Sequence, residues 1–106
     1  DSRVAQEEIF GPVVALFRFN DYETAVALAN ATPYGLAATI WTRDLGVALD
    51  ATRRLQAGVV QVNRHLVVQP QLSYGGVKAS GLGKEASLEA MLDHYTVKKT
   101  IILGMP

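Results

Sequence analysis

Glu7 and Glu8 stand side by side in the stretch QEEIFGPVV, positions 6–14, and run into an Ile-Phe pair, a Gly-Pro turn and an apolar run. A carboxylate only accepts hydrogen bonds, so it suits a ligand that presents several donors, with Phe10 placed to pack against that ligand. A solvated pair of charges ahead of a strand fits the same letters. His65 sits at a strand end before apolar residues, and a lone histidine there is more often structural than catalytic. Asp93 and His94 look like two members of a triad, but neighbours on a helix point about 100° apart. There is no cysteine and there are two histidines. That removes disulfides, thiolate sites and cysteine nucleophiles, and it leaves no convincing metal site.

The stretch YGGVKASGLGKE, positions 74–85, has the look of a phosphate loop without its chemistry. Gly76 and Gly81 have the Walker spacing, but Leu82 stands where Lys is required, and Lys84 is followed by Glu85. Gly81-Leu82-Gly83 leads to Ala86, so the dinucleotide fingerprint is absent as well. Glycine-enabled turns entering a helix account for these residues locally. A nucleotide-binding domain in its own right is therefore disfavoured.

Positioning such residues requires a scaffold, and the periodicity supplies one. Tyr22, Ala25, Val26 and Ala29 share a helical face, with Asn20 or Asp21 as the cap and Glu23 in the reach-back position if Asn20 caps. Leu45, Ala48, Leu49, Thr52 and Leu55 form a second face, stopped by Gly58, and Leu88, Met91, Leu92 and Tyr95 a third. Four apolar runs rich in β-branched residues read as strands: 13–19, 37–42, 59–63 and 97–103. Strands alternating with helices favour a largely parallel α/β sheet. Lys98 and Lys99 place the last run at an edge or in an arm. The loop 64–83 is long and carries Leu66, Val67, Val68, Leu72 and Tyr74. It leaves the carboxyl end of a strand, where ligands gather in such sheets.

Composition bounds the rest. The chain has 106 residues, 49% of them hydrophobic, and ten basic residues against ten acidic. Its length suits one domain with a modest core. No basic stripe points to nucleic acid, and no apolar run reaches the roughly 18 residues of a membrane span. Cytoplasm is the default compartment.

Five blocks, EEIFGPVV, ALANATPYGLAATIWTRD, LQAGVVQVN, YGGVKASGLGKE and YTVKKTI, occur in an order and spacing that resemble the C-terminal part of the NAD(P)-dependent aldehyde dehydrogenase family. The resemblance covers residues 6–103. Through VNRHL and GLGKEASLEAMLDHYT it is most similar to the betaine-aldehyde and aminobutyraldehyde branch. It implies an α/β fold of three layers, a mostly parallel sheet with flanking helices, with residues 1–96 in the catalytic domain and 97–106 as an oligomerisation strand and tail. It implies an enzyme that oxidises an aldehyde to an acid: a cysteine attacks the aldehyde, hydride passes to NAD or NADP, and water hydrolyses the thioester. Glu8 would bind the nicotinamide ribose hydroxyls and Phe10 would pack near the nicotinamide. Leu66, Val68 and Tyr74 would face the aldehyde channel. Where the family commonly has Pro-Phe-Gly-Gly, this chain has Ser73-Tyr74-Gly75-Gly76, which adds a hydroxyl to the channel. The nucleophile and its general base have no counterpart here, so no catalytic residue is assigned. An inactive fragment, one that forms homo-oligomers, is expected. The rival expectation is a non-enzymatic, oligomerising interaction module. A small aldehyde is the expected partner of the intact enzyme, with no nucleic acid and no membrane.

Overall fold

In the computed structural model, which describes residues 2–105, the three longer helices each start on a side-chain cap. Asp21 accepts from the Thr24 N–H at 2.7 Å, Asp44 from Val47 at 3.0 Å and Ser87 from Ala90 at 3.1 Å. Each cap satisfies one donor that the first helical turn leaves without a partner. The helices are α2 (Tyr22–Asn30), α3 (Leu45–Arg54) and α4 (Leu88–Tyr95), preceded by a single turn, α1 (Arg3–Gln6). Of the two caps available to α2, the chain uses Asp21.

β1 (Ala37–Ile40) and β2 (Val59–Val62) pair in parallel, with Ala37 opposite Val59 and Ile40 opposite Val62. Parallel neighbours need a crossover, and α3 supplies it. The result is a βαβ unit, so the architecture is α/β. Val26, Ala48 and Ala51 are the buried apolar residues among those described. The buried side of α3 is therefore its small residues, while Leu45 and Leu49, expected inside, are exposed. Small side chains let α3 lie close to β2.

Polar contacts tie α2 to α3. The Tyr22 hydroxyl donates to Asp50 at 2.7 Å, and Arg54 donates to Glu23 at 2.8 Å and to Asp50 at 3.3 Å. The guanidinium also lies 5.3 Å from the Tyr22 ring centroid. At the far end of α2, the Asn30 amide donates to the Arg54 carbonyl at 2.9 Å and accepts from the Gln56 N–H at 2.8 Å.

Two expected strands do not form. Residues 13–19 and 97–103 have no ladder partner among the described residues, so the three-layer, mostly parallel sheet is reduced here to two strands with helices. Apolar β-branched side chains suit a pleated surface, but a strand exists only where a neighbour takes its backbone hydrogen bonds. The alternation nonetheless survives in 13–19. Val13, Phe17 and Phe19 are 50%, 55% and 60% exposed, whereas Val14 and Leu16 are 80% and 90% exposed. Asp1 and Pro106, the ends of the two expected domain ranges, lie outside the described residues.

Candidate functional site

The carboxyl end of β2 opens into the long loop through an unusual turn. Asn63 adopts a left-handed φ of 51°. Its side chain replaces the ladder that stops there: Oδ1 accepts from the Thr42 N–H at 2.9 Å and Nδ2 donates to the Thr42 carbonyl at 2.8 Å. Leu66 is also left-handed, with φ 54°. Asparagine tolerates that region, whereas leucine enters it at a cost that the surroundings must offset. The loop then folds back along β2 and encloses a groove of about 300 Å³ lined by Val60, Val62, Val67, Val68, Leu72 and Tyr74, with Gln61 and Arg64 among its polar walls.

Two of the three expected channel residues, Val68 and Tyr74, thus share one groove. Leu66 does not line it and is 75% exposed. Its left-handed backbone breaks the alternation that would carry positions 66 and 68 to one side.

The groove's far wall is fixed by contacts the sequence does not advertise. Tyr74 and Glu85 exchange two backbone hydrogen bonds of 2.7 Å as an antiparallel bridge. Lys84 Nζ donates to the Gly58 carbonyl at 3.1 Å and to the Gly75 carbonyl at 2.5 Å. One lysine therefore joins the start of β2 to the segment that carries Tyr74. A second, Lys78, donates to the Asn30 and Thr32 carbonyls at 2.9 and 3.1 Å, at the carboxyl end of α2, where a cation is favoured. Neither lysine belongs to a phosphate loop. Gly76, ahead of both, serves close backbone packing, since a Cβ there would fall against Ser80, whereas Gly81 and Gly83 between them meet open space and take φ of 146° and 76°.

Glu7 and Glu8 have different fates. Arg3 forks onto both Glu7 oxygens at 2.9 and 3.0 Å. Among the described residues, Glu8 has no hydrogen-bond or ion-pair partner, and it borders a recess of about 550 Å³ with Gln6, Thr32, Tyr34, Leu36 and Ser80. Gln6 anchors this corner by donating to the Ala31 carbonyl at 3.1 Å. Phe10 does not line the recess and is 95% exposed. Through Phe10 and just beyond it, the chain makes consecutive tight turns, Gly11 N–H to the Ile9 carbonyl and Val13 N–H to the Gly11 carbonyl, each 2.8 Å. Pro12 has no N–H and adds no donor to them. His65 is exposed, with Nδ1 3.3 Å from the Thr39 hydroxyl, and takes no part in the groove.

The sequence model of the aldehyde dehydrogenase family matches residues 1–101. The chain belongs to the aldehyde dehydrogenase family. It is 46% identical over 102 residues to the fluoroacetaldehyde dehydrogenase of Streptantibioticus cattleyicolor, covering 96% of this chain and 20% of that protein. Its fold is similar to that of the P. syringae indole-3-acetaldehyde dehydrogenase in complex with NAD+ and IAA, with a TM-score of 0.80 and 48% identity, over 83% of this chain and 18% of that one. It is also similar to the Staphylococcus aureus betaine aldehyde dehydrogenase, with a TM-score of 0.85 and 39% identity, over 92% of this chain and 19% of that one. The chain spans about a fifth of the length of the curated relatives it matches. As a piece of this aldehyde dehydrogenase fold it contains no cysteine, so these residues include no thiol nucleophile. No helix among the described residues is long and apolar enough to cross a membrane.

Proposed function

We propose that this chain is the C-terminal part of the catalytic domain of an NAD(P)-dependent aldehyde dehydrogenase of the betaine-aldehyde and aminobutyraldehyde branch. Its role there is to position the reactants of aldehyde oxidation, not to make or break bonds. The observation that carries the reading is the groove in which Val68 and Tyr74 meet, inside a chain matched by the family over residues 1–101. The stretches VNRHL and GLGKEASLEAMLDHYT are what support the branch.

The cofactor's fit rests on Glu8. An acceptor-only carboxylate at an open recess, with no partner among the described residues, suits the two donors of a ribose diol. The NAD+ held by the P. syringae enzyme supports the same cofactor here. When bound, NAD(P)+ supplies the hydride acceptor. Glu8 orients the ribose beside the reacting ring, and the exposed Phe10 ring offers an apolar face for the nicotinamide. Val68 and Tyr74 shape the path of the aldehyde, and the Tyr74 hydroxyl makes that path more polar than an unsubstituted ring would. Residues 97–103 act as the oligomerisation strand, pairing with another subunit's edge.

The test is to exchange the groove's walls in the whole enzyme. Val68→Phe fills the groove and should reduce kcat/KM for a phenyl-bearing aldehyde relative to a two-carbon one by roughly ten-fold or more, since an overpacked site rejects bulk. Equal effects on both aldehydes would remove the groove from the channel.

A further inference from the structure

Gln61 is the one polar side chain in the strand sequence Val59-Val60-Gln61-Val62, and it is half-buried. A half-buried carboxamide is held in place where both of its ends find partners. Both ends do, on a single residue of the loop. Nε2 donates to the Val67 carbonyl at 2.8 Å and Oε1 accepts from the Val67 N–H at 3.4 Å. The amide therefore grips the main chain six residues ahead, much as a neighbouring strand would.

The grip falls at a telling place. Between Gln61 and Val67 lie the two left-handed residues Asn63 and Leu66. Strained backbone of this kind persists only where the surroundings over-determine it. One amide clamp, Asn63 on Thr42, holds the start of the strained stretch, and the other, Gln61 on Val67, holds its end. Val67 and Val68, at that held end, line the groove together with Tyr74.

We propose that Gln61 is a positioning residue that sets the width of the aldehyde groove, by fixing the Val67 main chain and so the place of Val68. This rests on the reading that the groove belongs to the aldehyde channel. An enzyme lacking the grip keeps its reacting groups but loses its discrimination between large and small aldehydes.

The experiment compares Gln61→Leu, Gln61→Glu and Val68→Phe in the whole enzyme, with acetaldehyde and phenylacetaldehyde as substrates and amide hydrogen exchange at Val67 as the structural readout. For Gln61→Leu we expect exchange at Val67 to speed about ten-fold and KM for phenylacetaldehyde to change by about the same factor, since two hydrogen bonds are lost. Gln61 also lines the groove, so KM for acetaldehyde will move too, but several-fold less than that for phenylacetaldehyde, because a small aldehyde meets fewer of the groove's walls. Gln61→Glu has the same shape but sets a carboxylate oxygen against the Val67 carbonyl in place of the donor, so it should loosen Val67 at least as much as Gln61→Leu. It decides the matter if the leucine variant does not accumulate as folded enzyme. Unchanged Val67 exchange, or equal losses on both aldehydes, overturns the proposal. If Val68→Phe also leaves selection between the aldehydes unchanged, the channel reading fails. If Val68→Phe alters selection and the Gln61 variants do not, only the role of Gln61 fails.

Discussion

A methyl group at position 58 would collide with the Gly75 carbonyl oxygen and crowd the Lys84 ammonium. Three parts of the groove meet at that point: the first residue before β2, the segment bearing Tyr74 and the lysine that joins them. Gly58→Ala should therefore cost about 1–3 kcal/mol as an overpacked site, and it should separate the Tyr74–Glu85 bridge from β2. Faster exchange of the Tyr74 and Glu85 amides, with α2 unaffected, checks this; unaltered exchange at both would refute it. The second prediction at this scale concerns Glu8, whose carboxylate touches only the ribose in the proposed complex. In the whole enzyme, Glu8→Gln removes one charge-assisted hydrogen bond and should cost about 1.5–3 kcal/mol at the hydride step, with cofactor affinity little changed. Single-turnover hydride transfer is the measurement, and an unaltered rate would sink the role. Glu8 could be proposed from its letters and the resemblance. Gly58 and Lys84 could not, because their partners lie 17 and 26 positions away in the chain.

At the level of the elements, the helices owe their starts to local chemistry. Asp44→Ala removes the acceptor of the Val47 N–H. It should weaken the first turn of α3 by about 1 kcal/mol, read as roughly five-fold faster exchange of the amides in that turn. The α2–α3 contact has its own pH signature. The Arg54 guanidinium holds the Glu23 carboxyl below its usual value, and the Tyr22 hydroxyl followed by Arg54 does the same for Asp50. Their contribution is present above the unfolded values, about 4, and is lost as pH falls through the lower folded ones. The Tyr22 hydroxyl is raised by its bond to Asp50, so its share is present below about pH 10 and is lost as pH rises further. The contact should thus weaken on both sides of a broad plateau, and less steeply in high salt, because Glu23 is exposed and the other groups are half-exposed. Arg54→Met should flatten the acid side of the thermal midpoint plotted against pH. A persisting acid slope of the same size would count against the assignment.

The molecule as a whole is far from closed. Its radius of gyration is 19.1 Å, against about 13 Å for a compact domain of this length. Its accessible surface is 9096 Å², against roughly 5,800 Å² for a folded monomer of this mass. Much of the excess is apolar: the α4 stripe of Leu88, Met91, Leu92 and Tyr95, the run with Leu16 and Phe19, and Ile102 and Leu103 in the tail. Surface on this scale does not stay in water when another chain can cover it. The isolated 106-residue chain is accordingly expected to sediment as a dimer or larger at micromolar concentration. Deleting residues 97–106 should shift it towards monomer, and a stable monomer of the full chain would defeat the expectation. With no cysteine, the isolated chain should also show no aldehyde-dependent reduction of NAD+ or NADP+ above a heat-killed control.

What the sequence determined by itself is whatever depends on neighbours along the chain. The cap of α2, read as Asn20 or Asp21, reaches only three residues ahead, and the 3.6-residue periodicity of α2, α3 and α4 and the apolar cores of β1 and β2 are equally local; the caps at Asp44 and Ser87 came with the structure. Tertiary structure decided which side of each element is covered. It turned α3 onto Ala48 and Ala51 in place of its leucines, left 13–19 and 97–103 without partners, and separated Phe10 from the Glu8 recess. It also set Gln61 on Val67 and Lys84 on Gly58. Such contacts depend on where distant backbone groups fall, and a hydrogen bond's demand for a partner within about 3 Å leaves no trace in the letters that supply it.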